Sequence, residues 1–442
     1  MASFSDAPNE VIDQILSDVP TSDLPSVCLV NKALRRSAEP FLYSAVSFQW
    51  DFQSVPRVAP LLLTLLRRPE LLDYLETVTL QGHLFNERTP PPPIDTANIP
   101  FDEFIAAIEK TGVAFASMWV EKLRSPRTCM YAMVALLITQ LSNTTHLTVG
   151  HPYINGQSLV PKVLKAKIFG QLPAFERLRE LRYLKRCDIS SFENNLVFSD
   201  TINLFYLPTV THIEVSMTNP RDFQWPAGEP NLDHLTSLKI GWLAEPFLAR
   251  IFKRTRNLRS LHWTWEHHGD WVGPWETTIL DFENIMDALR FLKGSLEKLT
   301  LEMYLGLDDE LADNLKMTVE GNLQGLRGFP RITHLDVPLT SRLLGISDPL
   351  PLADYAPDSV EVLTLSGSAL IDDECPHEWD GWVERGEFED LVPLIKDLRN
   401  DRPSKLPRLQ RVEIIDDHGG NIRREIGGQI EALDLGFKVQ II

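Results

Sequence analysis

Three apolar residues spaced i, i+3, i+5 recur along this chain of 442 residues, and that spacing restricts the fold more than any other feature. Leu296, Leu299 and Leu301 form the clearest copy. The spacing returns at Leu75/Val78/Leu80, Leu178/Leu181/Tyr183, Val210/Ile213/Val215, Leu235/Leu238/Ile240 and Leu258/Leu261/Trp263. It appears again at Ile332/Leu335/Val337, Val360/Leu363/Leu365 and Leu409/Val412/Ile414, with a poorer copy at Thr144/Leu147/Val149. The last two apolar residues of each copy are two apart, the period of a strand with one buried face. The first falls where the chain turns into that strand. A short strand of this kind cannot bury its apolar side alone, so the units must stack on one another.

The pattern resembles a leucine-rich repeat. Most copies follow a segment of helical period, such as Phe282, Ile285, Met286, Leu289 and Leu292, or Phe247, Leu248, Ile251 and Phe252. Copies start between 23 residues (Leu235 to Leu258) and 69 residues (Leu75 to Thr144) apart. Only the tighter gaps fall within the usual ~20–29 residues of such a repeat. The consensus asparagine after the strand is missing, as in Ile240-Gly241-Trp242-Leu243. The expectation is an α/β fold: an irregular solenoid over residues 49–442, with parallel strands on a concave inner wall and helices outside.

Residues 1–48 read differently. Asp6 and Pro8 suit the start of a helix carrying Val11, Ile12, Ile15 and Leu16 as one apolar stripe. After Pro20-Thr21-Ser22 a second helix carries Leu24, Val27, Cys28 and Val30. A third begins near Asn31 and is expected to stop at Pro40, before an entering strand at Ala45–Phe48. Three helices of this size enclose little core, so the module needs a partner or a neighbouring domain.

The order Pro8-Asn9-Glu10-Val11-Ile12, Ile15-Leu16, Asp23-Leu24, Val27, Val30-Asn31-Lys32, Leu34-Arg35 and Pro40, Leu42-Tyr43 resembles an F-box. Ala7 stands where a leucine is usual, and Leu34 where a tryptophan is common. The pairing with degenerate leucine-rich repeats is similar to F-box proteins of filamentous fungi. The resemblance implies the substrate-recognition subunit of a Skp/cullin/F-box ubiquitin ligase, noncatalytic, with the F-box on the Skp adaptor and the repeats on a target protein. Pro8, Val11, Ile12, Ile15, Leu16, Leu24, Val27, Cys28 and Val30 match the family's adaptor-facing pattern. The alternative is a repeat scaffold without a ligase, in which residues 1–48 cap the solenoid.

Period two places Thr79, Arg182, Glu214, Lys239, His262, Thr264, Thr300, Glu302, Asp336, Thr364 and Glu413 on the inner wall. Its mixed polarity suits a protein target, and Arg182, Glu214, Lys239, His262, Thr264, Trp265, Glu302 and Asp336 are the candidate contacts. Six of the ten tryptophans, Trp225, Trp242, Trp263, Trp265, Trp271 and Trp275, lie close together. Trp263 holds a buried repeat position. Trp265, Trp271 and Trp275 are read as the following loop, either at an interface or packed beneath it. Pro90–Pro93, in a proline-rich loop over 84–100, reads as a stiff spacer. Met130, Met133, Val134, Leu137, Ile138 and Leu141 make a helical core stripe.

Net charge of −18 and a pI near 5.1 argue against nucleic acid or an anionic membrane as partner. The longest apolar run, Ala132–Ile138, is far short of the ~20 residues of a membrane span. No secretory leader pattern opens the chain, and the four cysteines make no CxxC, so an intracellular place, cytoplasmic or nuclear, is expected. Glu266-His267-His268-Gly269-Asp270 and Asp372–His377 contain metal-ligand residue types without zinc spacing, and Asp308-Asp309-Glu310 reads as an acidic helix start. No phosphate-binding glycine loop or nucleophile elbow is present, and no cofactor is expected.

Overall fold

The computed structural model describes residues 8–83, 85, 89–97, 99–154, 158–184, 195–268, 279–306, 318–338, 352–366, 387–415, 427–431, 433 and 435–442. The chain divides into two compact units, Met1–Val215 and Ser216–Ile442. In each, parallel strands lie side by side in chain order, so the fold is α/β as the triplets require.

The first unit opens with α1 (Asn9–Ser17), α2 (Leu24–Val30) and α3 (Lys32–Leu42). Its strands are β1 (Ala45–Trp50), β2 (Thr77–Gly82), β3 (His146–Gly150), β4 (Glu180–Leu184) and β5 (His212–Ser216). Pairing aligns the apolar positions across the sheet: Val46, Val78, Leu147, Leu181 and Ile213 in one row, Phe48, Leu80, Val149, Tyr183 and Val215 in the next. Helices α4 (Val58–Arg67), α5 (Phe101–Lys110), α6 (Ala116–Arg124), α7 (Cys129–Gln140), α8 (Val160–Ile168) and α9 (Asn195–Thr201) fill the returns. Residues 89–97 of the proline-rich stretch adopt no helix or strand.

The second unit repeats the scheme with β6 (Ser237–Gly241), β7 (Ser260–His268), β9 (Lys298–Gly306), β11 (His334–Pro338), β12 (Val362–Ser366), β13 (Arg411–Ile415) and β14 (Lys438–Ile441). Leu238, Leu261, Leu299, Leu335, Leu363, Val412 and Val439 form one continuous apolar row. Between these strands lie α10 (Glu245–Phe252), α11 (Phe282–Leu289) and a long helix, Glu387–Lys405, in which Leu391, Leu394, Ile395 and Leu398 are buried. A separate parallel pair joins β8 (Ile279–Asp281) to β10 (Thr318–Glu320).

One joint recurs in both units. The residue opening each triplet is buried, and in most copies the carbonyl one step later accepts two amides from the next repeat. Glu76 O accepts from Thr145 N and His146 N at 2.8 and 3.0 Å, Thr145 O from Arg179 and Glu180, and Arg179 O from Thr211 and His212. In the second unit Thr236, Arg259, Glu297, Thr333 and Glu361 offer carbonyls in the same way. Hydroxyls add to the joint: Thr144 Oγ1 donates to Leu75 O at 3.1 Å, Thr209 Oγ1 to Leu178 O at 2.8 Å and Ser359 Oγ to Ile332 O at 2.7 Å. The polar residue of the poorer triplet thus satisfies a backbone acceptor that would otherwise be orphaned.

Two expectations need correction. Pro40 does not end the third helix, which runs to Leu42. Proline here forfeits one amide in the closing turn, and Tyr43 N still reaches Glu39 O at 3.0 Å. The stripe expected on α7 is instead a helix buried on every side from Cys129 to Thr139, packed among α4, α6 and α8.

Candidate functional site

The helical trio has a core of its own. Ile12, Leu16, Leu24 and Ala38 are buried together, with Val19, Val27, Cys28, Leu34, Phe41 and Leu42 packed against them. Asn31 starts α3 by accepting Leu34 N on its side-chain oxygen at 2.8 Å. A helix shows one stripe per side, and on α1 the two i,i+4 pairs divide. Ile12 and Leu16 point inward, while Val11 and Ile15 remain 44% and 43% exposed. On α2, Val30 is 66% exposed and its neighbour Leu29, outside the expected set, 86%. Pro8 is exposed at the head of α1, and Asp6 lies outside the described residues. Of the nine adaptor-facing positions, Ile12, Leu16 and Leu24 are therefore spent on the trio's interior and Val27 and Cys28 are half-buried. Pro8, Val11, Ile15 and Val30 present outward.

A charged clamp ties the trio to the first repeat. Arg68, just after α4, donates from both terminal nitrogens to the two Glu39 carboxylate oxygens at 2.8 and 2.9 Å, and from Nε to Glu70 at 2.9 Å. Arg35 Nε also donates to Glu39 at 2.8 Å. The Arg68 hydrogen bond, with help from Arg35, holds the Glu39 carboxyl down at about 2 despite partial burial.

On the strands, the residues between buried positions form the open face. In the first unit Thr79, Thr148, Arg182 and Glu214 stand in one register row. Arg182 Nε lies 2.7 Å from Glu180 and 3.5 Å from Glu214. In the second unit the row runs Lys239, His262, Thr300, Asp336, Thr364, Glu413. Two residues on, Gly241, Thr264 and Glu302 align, as do Pro338 and Ser366.

Three carboxylates share this second face. Glu302 meets His262 Nε2 at 2.6 Å, off the line of a hydrogen bond, and accepts from Thr264 Oγ1 at 3.0 Å. Burial alone would raise its affinity for a proton, but His262 and Thr264 outweigh burial and hold it below the ordinary value. Glu413 accepts from Thr364 Oγ1 at 3.2 Å and lies 2.8 Å from Arg411 Nε. Among the described residues, Asp336 accepts only from Ser366 Oγ, at 3.3 Å. Burial first, then Glu302 and Glu413, push it up to about 6 against the pull of Ser366 and His262.

The tryptophans sort differently from the sequence reading. Trp263 is buried in its repeat position, its Nε1 donating to Leu243 O at 2.9 Å. Trp265 is not in a loop: β7 extends to His268, and Trp265 is an inward residue, 3% exposed, opposite Met303. It is removed from the target-contacting set. The half-buried Trp242, one of the clustered tryptophans, holds φ of 70° just after β6. A bulky side chain rarely adopts that backbone, and the break at Gly241-Trp242 was its signal. Trp271, Trp275, the Glu266–Asp270 side chains, Asp308–Glu310 and Asp372–His377 lie outside the described residues.

Among the described residues, no group of three or more His, Cys, Asp or Glu could hold a metal ion. No helix among them is long and apolar enough to cross a membrane.

A scan against protein-family models finds no match, and no curated protein matches the sequence. Among solved structures, a chain of the Rad7–Elc1 complex from yeast superposes with a TM-score of 0.32 and 12% identity, over 98% of this chain and 92% of that one. At that score the likeness carries no conclusion about this chain.

Proposed function

We propose that this chain is the noncatalytic substrate-recognition subunit of an intracellular ubiquitin ligase of the Skp/cullin/F-box type. The helical trio docks on the Skp adaptor, which carries the cullin, and the open strand face holds a target protein. The observation that supports this most is the outward apolar set Val11, Ile15, Leu29 and Val30 on a module whose own core is already closed. Such side chains gain about 1.5–3 kcal/mol each when fully buried by a partner, before association costs. Polar and half-buried, the strand rows suit a protein or peptide more than a small apolar ligand.

The test is co-purification with a recombinant Skp adaptor. Val11→Asp with Ile15→Asp should abolish capture while the melting temperature stays within a degree or two. The same replacement at Ile12 and Leu16 should unfold the trio. Full adaptor binding by the Val11/Ile15 variant would remove this docking face.

The second reading, a repeat scaffold capped by its first helices, draws on the Glu39–Arg68 clamp and on β1, which pairs directly with β2. It predicts no adaptor capture by the wild-type chain.

A further inference from the structure

The open face of the second unit holds one carboxylate whose surroundings differ from the others. Glu302 has His262 and Thr264, and Glu413 has Arg411 and Thr364. Asp336 has a single hydroxyl, Ser366, and no cation within salt-bridge distance among the described residues. Strand by strand, the groups around it are Lys239 on β6, His262 on β7, Lys298, Thr300 and Glu302 on β9, and His334 on its own strand β11. Thr364 and Ser366 face it from β12, Arg411 and Glu413 from β13, and Glu361 precedes β12. Neighbouring strands lie about 4.8 Å apart, so Glu302, one strand away, and Glu413, two away, repel it. Like charges this close do not all ionise equally, and the least supported one yields first.

We propose that Asp336 is a proton switch on this face: it takes up and releases a proton while Glu302, held by His262 and Thr264, stays charged. No bond between heavy atoms changes. The ionised carboxylate accepts hydrogen bonds only, whereas the acid donates one, so uptake removes a negative charge and reverses one hydrogen-bond polarity. Burial and the two carboxylate neighbours set its affinity near that of a histidine, within reach of ordinary cellular acidification. A partner that places a cation on Asp336 favours the ionised form, and one that places a carbonyl there favours the acid. That regulatory use rests on the target-binding reading above; the switch itself does not.

The experiment compares melting temperatures of the wild type, Asp336→Asn and Ser366→Ala from pH 7.5 to 4.5. Folded-state affinity is raised, so the ionised form weighs against folding above the folded midpoint, and protonation relieves it as pH falls. Asn mimics the acid, so Asp336→Asn should melt several degrees above wild type at pH 7.5, the gap closing by pH 4.5. Ser366→Ala keeps the carboxylate but removes its one donor, and its stability curve should bend at higher pH than wild type. If Asp336→Asn does not fold, the Ser366→Ala curve decides. A gap that stays flat with pH, or a Ser366→Ala curve that bends where wild type does, would overturn the switch. Adaptor capture is measured separately, so either idea can fail alone.

Discussion

At the scale of single residues, the buried ionisable groups make the sharpest predictions. Lys167 on α8 is fully buried, donating to Thr139 O at 3.2 Å and lying 4.5 Å from the centre of the Phe175 ring. Burial drives its ammonium down to about 7. The folded state therefore disfavours the charged form. The penalty is complete below pH 7 and is relieved as pH rises toward the unfolded value near 10.5. Lys167→Met should stabilise the protein by on the order of 2–4 kcal/mol at pH 6, the gain shrinking by pH 9.5, as urea titrations would read. Glu39 works in the opposite sense. Its depressed value contributes stability that is present above about 4.5 and lost as pH falls toward 2. Glu39→Gln should cost about 2 kcal/mol at neutral pH, allowing for solvent screening, and little near pH 2. Neither group was visible in the sequence, where Lys167 and Glu39 look like ordinary surface charges. The same is true of the division on α1: Val11/Ile15 and Ile12/Leu16 are equally spaced pairs. Only the position of α2 and α3 decides which pair turns inward.

Elements were far more legible. Period two gave the inward and outward residues of every matched strand, because a one-step error would move the whole apolar row to the open face. The failures lie at strand ends. The triplet stops at Trp263, so β7 seemed to stop there too, although alternation continues through Trp265 opposite Met303. The joints between repeats offer direct tests. A Cβ on Gly82 would collide with the Trp50 backbone, its register partner on β1. Gly82→Ala should therefore cost more than about 3 kcal/mol, with the loss appearing in both thermal and chemical denaturation. Thr144→Val keeps the shape but leaves the Leu75 carbonyl short of a donor, for an expected loss of about 1–2 kcal/mol.

Across the whole molecule, the charge balance dominates. A chain at −18 repels itself, and salt screens that repulsion over about 10 Å at 0.1 M. Its melting temperature should rise between 10 and 200 mM sodium chloride; a fall would mean that ion pairs such as Glu39–Arg68 outweigh the repulsion. The uneven spacing of the repeats has its reason in the shared carbonyl. At most steps from one strand to the next, one acceptor oxygen, two amides and a buried side chain fix where the returning chain docks before the strands pair. Whatever leaves one strand need only return to that small docking point. The chain between successive strands can therefore differ widely in length, 69 residues from Leu75 to Thr144 against 23 from Leu235 to Leu258, while the same grip closes both steps.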